Sequence, residues 1–214
     1  MLSDAGGEVL GKLIVLEGLE GCGKTTNARF VAQWLRDAGK NVIETREPGG
    51  TPVAEALREL LLSEHAETLS PVTELWMMFA ARMQHVTEVI VPALQSGAWV
   101  LCDRFLDATY AYQGGGRGLP DAVIDPLAAQ ITALVGPACV LYLDIPLETS
   151  RARVKQRGQL DRFEQEGEAF FAKILSVYRS RAKLLQSHRW IQADQPLAQV
   201  QADIAQVLED LIVR

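Results

Sequence analysis

The feature that most restricts the fold of this chain is a glycine-rich segment at residues 18–25, with the sequence GLEGCGKT. The segment before it, residues 12–16 (KLIVL), is short, apolar and partly β-branched, which indicates a buried strand. The segment after it, residues 25–38, has apolar residues at helical spacing and is followed by Gly39, so a helix is predicted there. A strand, a glycine-rich turn and a helix in this order predict an α/β unit with a parallel sheet.

The glycine-rich segment also matches the pattern G-x-x-x-x-G-K-[ST] of a phosphate-binding loop, or P-loop. Its glycines allow backbone N–H groups to converge on one anion, and the following helix directs its positive end to the same place. Lys24 is expected to reach the β- and γ-phosphates of ATP, and the Thr25 hydroxyl to bind Mg²⁺. The flanking strand and helix argue against a chance glycine-rich turn. The predicted ATP-binding residues of this loop are Gly18, Leu19, Glu20, Gly21, Cys22, Gly23, Lys24, Thr25 and Thr26.

The rest of the chain alternates short apolar runs with longer helical patterns. Ser/Thr-Pro pairs at residues 51–52 and 70–71 predict the starts of two helices, the second of which is bent or ended by Pro92. A glycine-rich loop is expected at residues 114–118. Strands alternating with helices predict an α/β fold of the P-loop type, with a parallel sheet and helices on both faces. The remaining strands are expected at residues 41–45, 99–102, 139–143 and 190–193.

Length and composition bound the classes of function. A chain of 214 residues is expected to form one domain, here residues 12–214, with residues 1–11 as a flexible N-terminal extension. The net charge of −6 argues against a broad nucleic-acid surface, and no apolar run approaches the roughly 20 residues of a membrane span. Three widely spaced cysteines and a start without a signal-peptide pattern favour a cytoplasmic protein.

Asp103 and Arg104 directly follow the strand predicted at residues 99–102. Ligands of parallel α/β sheets bind at the carboxyl ends of the strands, so both side chains are expected near the phosphates. An Asp at this place holds Mg²⁺ in many P-loop proteins, and an Arg beside it would face a phosphate. The alternative is a surface ion pair, which the position at a strand end disfavours.

Further basic residues are candidates for binding phosphate groups. Arg46 follows the second predicted strand and Arg82 lies on the long helix, although each alone is more typical of a solvated surface charge. The segment 151–162 carries five positive charges and contains Gly158, a candidate hinge. We expect residues of about 157–168 to form a short arginine-rich lid that places positive charge over the transferred phosphoryl group and excludes water. A solvated helix face is the alternative for this segment.

Five segments together resemble the motifs of the bacterial thymidylate kinase family, and they follow the family's order along the chain. These segments are residues 18–26 (GLEGCGKTT), 45–51 (TREPGGT), 102–104 (CDR), 111–118 (AYQGGGRG) and 160–165 (LDRFEQ). The resemblance extends from about Lys12 to the C-terminus. It implies transfer of the γ-phosphoryl group of ATP to dTMP, which gives dTDP for dTTP synthesis, with Mg²⁺ as cofactor. It also implies a five-stranded parallel sheet and a homodimer.

The resemblance assigns roles to individual residues of the phosphoryl-transfer site. Thr25 and Asp103 would bind the metal ion, and Arg153 would lie near the adenine of ATP. Arg157 and Arg162 match the lid arginines of those family members whose phosphate loop, as here, has no basic residue between its first and third glycines. The catalytic residues implied are Lys24, Asp103, Arg104, Arg157 and Arg162.

The resemblance also implies an acceptor site. Arg46 and Arg104 would grip the phosphate of dTMP, with Glu20 and Tyr112 near the sugar. The thymine edge would meet polar side chains of the long helix and of the segment after Arg104. The implied dTMP-binding residues are Glu20, Arg46, Pro48, Met78, Phe79, Arg82, Arg104, Thr109, Tyr112 and Gln113.

The chain departs from the family pattern at the base. Many members place Phe four residues before the thymine-reading Arg, but here that position is Met78 and Phe79 comes next. Residues four apart share a helix face, so Met78 lies on the face of Arg82. Met packs favourably against aromatic rings. We therefore expect Met78 to cover the base, with Phe79 as the second candidate.

Two other functions stay open at this point. One is a P-loop kinase for another small acceptor, and the other is a regulatory switch that hydrolyses a nucleotide slowly and signals through a partner. A switch would not need an acceptor pocket with several arginines and a lid.

Overall fold

The structure is a computed structural model that describes residues 11–158, 160–184 and 186–213. The predicted N-terminal extension, residues 1–11, therefore lies outside the described residues except for Gly11.

A five-stranded parallel sheet forms the centre of the described chain, in the strand order β2-β3-β1-β4-β5. Within the sheet, Leu16 and Arg46 are both register partners of Asp103, so the ends of three neighbouring strands lie side by side. The loops after these strands consequently meet at one edge of the sheet, as predicted. The strands are β1 (Leu13–Glu17), β2 (Val42–Arg46), β3 (Trp99–Asp103), β4 (Cys139–Asp144) and β5 (His188–Gln192).

Helices connect the strands. The predicted Ser/Thr-Pro starts are confirmed, because the Thr51 and Ser70 hydroxyls each accept a backbone N–H of the first helical turn at 3.1 Å. Two segments, π1 (Val86–Ile90) and π2 (Tyr110–Gly116), are π-helical. The α-helices are α1 (Lys24–Asp37), α2 (Pro52–Leu62), α3 (Pro71–His85), α4 (Val91–Gln95), α5 (Leu106–Thr109), α6 (Asp121–Thr132), α7 (Leu147–Arg157), α8 (Glu168–Arg181) and α9 (Leu197–Val213).

The core has two layers, one on each face of the sheet. Along β1, Leu13 and Val15 enter one layer while Ile14 and Leu16 enter the other, since successive side chains of a strand alternate in direction. The first layer packs against α3, α6 and α8, and the second packs against α1 and α9. The predicted fold class, with helices on both faces of a parallel sheet, is therefore confirmed.

Three predicted element boundaries were wrong. Pro92 neither ends nor breaks the long helical stretch, because the chain widens into π1 before it and continues as α4 to Gln95. Residues 114–116, expected in a loop, belong to π2, where their lack of side chains lets α8 approach closely. Strand β5 begins two residues earlier than predicted, at His188.

Among the described residues, none of the helices combines the length and hydrophobicity needed to cross a lipid bilayer.

Candidate active site

The phosphate-binding loop joins the end of β1 to the start of α1. Gly18 has a φ of 138°, and a Cβ atom there would lie 2.5 Å from the carbonyl oxygen of Leu143, so the loop requires glycine at this position. Lys24 folds back over the loop, where its Nζ donates to the carbonyl oxygens of Gly18 and Leu19, each at 3.1 Å. The loop thus lies at the carboxyl edge of the sheet, where the sequence places it.

A cleft of about 1030 Å³ opens at this loop. It brings together residues that are up to about 140 positions apart in the chain. The predicted site residues that line it are Glu20, Gly21, Gly23, Lys24, Thr25, Thr26, Arg46, Asp103, Arg104, Arg153 and Arg157. Arg58, Leu160, Asp161 and Glu164 complete the lining.

Arg104 lies between this cleft and a smaller cavity. Its Nη2 donates to Glu20 Oε1 at 2.7 Å and to the Tyr112 hydroxyl at 3.1 Å, while its Nη1 donates to the Tyr178 hydroxyl at 2.7 Å. Burial raises the pKa of Glu20, but Arg104 and Lys24 outweigh burial and the pKa is lowered overall. Glu20 is therefore ionised at neutral pH and fixes the position of the Arg104 guanidinium.

Asp103 ends β3 with a buried oxygen, Oδ1, for which the described residues supply no hydrogen-bond partner. Thr25 is exposed at the same cleft. A carboxylate and a hydroxyl are hard oxygen ligands of the kind that Mg²⁺ prefers. An orphaned buried carboxylate oxygen is also costly unless it meets a cation or a donor. The donor set at this edge therefore fits a magnesium ion.

The smaller cavity, of about 90 Å³, adjoins the cleft through Glu20 and Arg104. Met78 lines this cavity, whereas Phe79 is 5% exposed, belongs to the core and lies with its ring centre 5.1 Å from the Arg82 guanidinium. The side chain facing the cavity is thus the methionine. The full lining is Glu20, Glu47, Pro48, Arg58, Met78, Arg104, Ala108, Tyr112, Gln113, Asp161 and Phe163.

Arg82 is 1% exposed and sits one layer behind this cavity. Its Nε donates to Glu47 Oε2 at 2.6 Å, its Nη1 to Thr109 Oγ1 at 2.8 Å and its Nη2 to the carbonyl oxygen of Phe105 at 2.9 Å. Glu47 is held in turn by His85, at 3.1 Å between Oε1 and Nδ1. Because Glu47 lines the cavity, this buried network forms the support of the cavity wall.

The segment predicted to form the lid, residues 157–168 apart from residue 159, contributes lining residues to both cavities. Arg157 lines the larger cleft and pairs with Glu164. Arg162 is directed elsewhere: its Nη2 donates to Glu74 Oε2 at 2.8 Å and its Nε to the carbonyl oxygen of Leu61 at 2.9 Å. The structure therefore places the two predicted lid arginines on different sides, Arg157 at the larger cleft and Arg162 beside the smaller cavity.

Sequence reasoning missed several side chains of the site, among them Arg58 and Glu74. Arg58 lines both cavities, and its Nη1 donates to the carbonyl oxygen of Pro48 at 2.9 Å. Glu74 is fully buried behind the smaller cavity. Glu74 could have been found from the sequence. Glu74, Met78 and Arg82 are spaced four residues apart, which puts all three on one helix face.

A parallel sheet, a phosphate-binding loop and an adjoining arginine-lined cavity are together the features of the P-loop phosphotransferase class. The sequence model of the family described as thymidylate kinase matches residues 16–204. The chain is 52% identical over 203 residues to a thymidylate kinase of Pseudomonas savastanoi pv. phaseolicola, covering 94% of this chain and 97% of that protein.

Two further relatives of similar identity are also thymidylate kinases. A thymidylate kinase of Ectopseudomonas mendocina is 51% identical over 203 residues, covering 94% of this chain and 97% of the relative. A thymidylate kinase of Teredinibacter turnerae is 48% identical over 200 residues, covering 93% of this chain and 98% of the relative. This chain therefore belongs to the thymidylate kinase family.

Proposed function

We propose that this protein transfers the γ-phosphoryl group of ATP to dTMP, giving dTDP and ADP for dTTP synthesis. The observation that carries the proposal is that Arg104 and Glu20 line both cavities, so that the phosphate cleft and the smaller cavity share a boundary. A phosphate on an acceptor in the smaller cavity would meet the ATP phosphates at this boundary. Membership of the family identifies the acceptor as dTMP.

ATP would bind along the phosphate-binding loop. Lys24, now donating to two loop carbonyls, would turn to the β- and γ-phosphates, and the N-terminal end of α1 would add its positive potential. Arg153 donates to the carbonyl oxygen of Gly21 at 3.0 Å, which supports its assignment to the nucleoside side of this loop. Residues 12–214 would act as one kinase domain.

Thr25 and Asp103 would hold Mg²⁺, in keeping with the orphaned Oδ1 of Asp103. When bound, Mg²⁺ would supply positive charge that offsets the negative charge developing on the phosphate groups.

The smaller cavity would hold the nucleoside of dTMP. Arg104, Arg46 and Arg58 line the phosphate cleft and would bind the acceptor phosphate, since a guanidinium group can donate two hydrogen bonds to phosphate oxygens. Met78 would cover the thymine ring. Gln113 would face the thymine edge, because its Oε1 is buried and has no partner among the described residues.

The remaining acceptor residues would support this arrangement. Glu20 and Tyr112, which share a hydrogen bond of 2.5 Å, would lie at the sugar, and Pro48 would close the wall. Arg82 and Thr109 lie behind the cavity wall, and they would contribute to recognition of the thymine edge by supporting Glu47. Phe79 would support Arg82 from the core rather than stack on the base.

Positioning and charge would supply most of the catalysis. The phosphate of dTMP is already ionised at neutral pH, so no general base is needed to create the nucleophile. Arg104 would orient the attacking phosphate, while Arg157, which lines the cleft, would stabilise charge in the transition state. Arg162, which donates to Glu74, would hold the lid in place and so help to exclude water, instead of facing the transferred group as the resemblance implies. Water exclusion matters because water is a competing acceptor.

We also propose that the protein works as a homodimer in the cytoplasm. Four large apolar side chains stay exposed on α2 and α3, which pack against each other: Val53, Leu60, Val72 and Trp76. Val53 and Leu60 are seven residues apart and Val72 and Trp76 four apart, so each pair shares one helix face. Exposed apolar side chains on two helices that pack together support a protein–protein contact. The three free cysteines are in keeping with a reducing compartment.

The test is ADP formation from Mg-ATP with dTMP, dUMP, dCMP, dGMP or dAMP as acceptor, and without acceptor. We expect ADP to form mainly with dTMP. Preference for a different monophosphate would assign the protein to another acceptor. Equal rates in all samples, including the one without acceptor, would contradict the proposal and favour a nucleotide-hydrolysing switch.

A further inference from the structure

Glu74 is a fully buried carboxylate in the first turn of α3. Three donors from separate segments converge on it: Gln113 Nε2 at 2.7 Å from π2, Arg162 Nη2 at 2.8 Å from the lid, and Arg117 Nε at 3.3 Å. A buried carboxylate is tolerated only when it is paired and hydrogen-bonded, and two guanidinium groups meet that condition here. Glu74 is therefore charged and acts as a hydrogen-bond acceptor only.

This acceptor fixes which way the Gln113 amide points. A primary amide has a donor end and an acceptor end, and a carboxylate can pair only with the donor end. Gln113 is 1% exposed, its nitrogen is turned to Glu74, and its Oε1 remains without a partner among the described residues. Since Gln113 lines the smaller cavity, the polar atom that its amide leaves for a base bound there is the carbonyl oxygen.

A fixed carbonyl distinguishes pyrimidine bases by chemistry. Thymine and uracil carry an imide N–H that donates to such an oxygen, whereas the corresponding nitrogen of cytosine is an acceptor and would face it with a lone pair. An unpaired buried acceptor costs about 1–3 kcal/mol, so the mismatch is penalised.

The same carboxylate also holds the lid over the base. Arg162, besides its bond to Glu74, lies with its guanidinium 4.5 Å from the ring centre of Phe163, which lines the smaller cavity. Arg117 lies 5.4 Å from the same ring and also pairs with Glu166 of the lid. The base-reading amide and the lid are thus attached to one buried group.

We propose that Glu74 is a positioning residue that sets the preference of the acceptor site for bases with an imide N–H. It does so by holding the Gln113 carbonyl toward the cavity and by anchoring the lid beside it through Arg162. The inference rests on the proposed function, because it assumes that a nucleoside monophosphate occupies the smaller cavity.

The test compares wild type with Glu74→Gln, measuring kcat/KM for dTMP, dUMP and dCMP and the KM for ATP. The new amide can donate to Gln113 Oε1, so the Gln113 side chain is free to turn. We expect the dTMP-to-dCMP ratio of kcat/KM to fall about tenfold, the size of one ordinary hydrogen bond. The dTMP-to-dUMP ratio should not change, since both bases carry the imide, and the KM for ATP should stay within twofold.

Glu64→Gln is the matched control. Glu64 is exposed and accepts a hydrogen bond from lid residue Gln165 at 2.9 Å, so this variant makes the same chemical change at the lid, away from the acceptor cavity. It should leave both ratios as in wild type. If Glu74→Gln does not fold, as judged by circular dichroism, Glu74→Asp keeps the charge but draws the carboxylate away from Gln113. This second variant should lower the dTMP-to-dCMP ratio too.

A double-mutant cycle with Gln113→Ala separates this role from general loosening of the site. If Glu74 acts through Gln113, Glu74→Gln should not lower the dTMP-to-dCMP ratio further in the Gln113→Ala background. An equal drop in both backgrounds, or an unchanged ratio in Glu74→Gln itself, would overturn the inference. A wild-type protein that does not phosphorylate dTMP would instead refute the proposed function.

Discussion

Arg104 combines an unusual backbone conformation with a central place in the site. Its φ of 71° lies in the left-handed region, which costs a non-glycine residue of order 1–2 kcal/mol. The conformation is held on both sides, because the Arg104 N–H donates to the carbonyl oxygen of Leu16 at 2.9 Å and its own carbonyl accepts from the Cys102 thiol at 3.1 Å. The strain is tolerated at a position where the guanidinium is needed between two cavities.

Glu17 supports the segment after Arg104 from inside the core. Its Oε1 accepts the N–H groups of Phe105 and Ala108 at 2.8 and 3.2 Å, and its Oε2 accepts the Tyr178 hydroxyl at 2.9 Å. Burial raises the pKa of Glu17 from its ordinary value of 4.5 to about 7, with Arg104 opposing the rise. Glu17 therefore exchanges its proton near neutral pH.

This shift predicts a pH-dependent stability. Between pH 4.5 and about 7, Glu17 is ionised in the unfolded chain but protonated in the folded protein, so its contribution to folding is lost as pH rises through this window. The charged groups facing it are Arg104 and Asp107. In Glu17→Gln the side chain cannot ionise. Its free energy of unfolding should therefore rise relative to wild type by up to about 3 kcal/mol between pH 5 and pH 8.

Urea unfolding at pH 5, 6, 7 and 8 measures this difference. Parallel profiles for the two proteins would show that Glu17 stays ionised in the fold throughout.

Among the elements, π2 is the one whose packing depends most on glycine. A Cβ atom at Gly115 would lie 2.7 Å from Val177 Cγ2 and 3.1 Å from the backbone oxygen of Lys173, both on α8. The neighbouring Gly114 is less confined, since its nearest atom, Ile124 Cδ1, would be 3.4 Å away. The contact between π2 and α8 thus depends on the absence of a side chain at residue 115 and also at Gly116, where a Cβ atom would lie 2.5 Å from Phe170 Cε2.

We expect Gly115→Ala to lower the free energy of unfolding by about 1–3 kcal/mol, because α8 must move away from π2. Gly114→Ala, one residue earlier in the same element, is the control and should change it by less than about 0.5 kcal/mol. Thermal or urea unfolding of both variants measures the difference. Equal stability of the two variants would mean that α8 tolerates the methyl group.

Sequence patterns predicted some elements well and others poorly for identifiable reasons. The starts of α2 and α3 follow from local chemistry, a hydroxyl cap followed by proline, and were predicted to the residue. The helical state of residues 114–116 was not, because three glycines favour a loop locally, whereas in the fold residues 115 and 116 pack closely against α8. Tertiary packing overrides local propensity there.

The same distinction holds within the candidate site. The phosphate-binding loop and Asp103 could be placed from the sequence, since a strand end has a fixed location in a parallel sheet. The pairing of Arg162 with Glu74 could not, because it spans 88 positions and depends on how the lid packs on α3. The location of Arg58 at both cavities likewise depends on the angle between α2 and the sheet.

For the molecule as a whole, the apolar surface on α2 and α3 predicts the assembly. Trp76 is 58% exposed within it, the largest side chain of that surface. Trp76→Glu should convert a dimer into a monomer by placing a charge in the contact. Trp190→Glu is the control, because Trp190 is also a half-exposed tryptophan but lies on β5, the opposite edge strand from β2.

Sedimentation or light scattering at several protein concentrations measures the mass of both variants and of wild type. A wild-type protein that remains monomeric at every concentration would contradict the dimer, and a Trp76→Glu protein that remains dimeric would move the contact elsewhere.

Three of the five arginines that line the cleft have a carboxylate partner within the protein, and the other two donate to backbone carbonyls. The pairs are Arg104 with Glu20, Arg46 with Glu55 and Arg157 with Glu164. The cleft thus carries its own counterions, which matches an overall negative chain better than a bare cationic surface would. Binding of a nucleotide is then an exchange of one anion for another at guanidinium groups that are already oriented. Because carboxylates of the protein already neutralise part of the arginine charge, the net charge that attracts a nucleotide is smaller. The affinity for nucleotides should therefore depend less on ionic strength than the number of arginines alone implies.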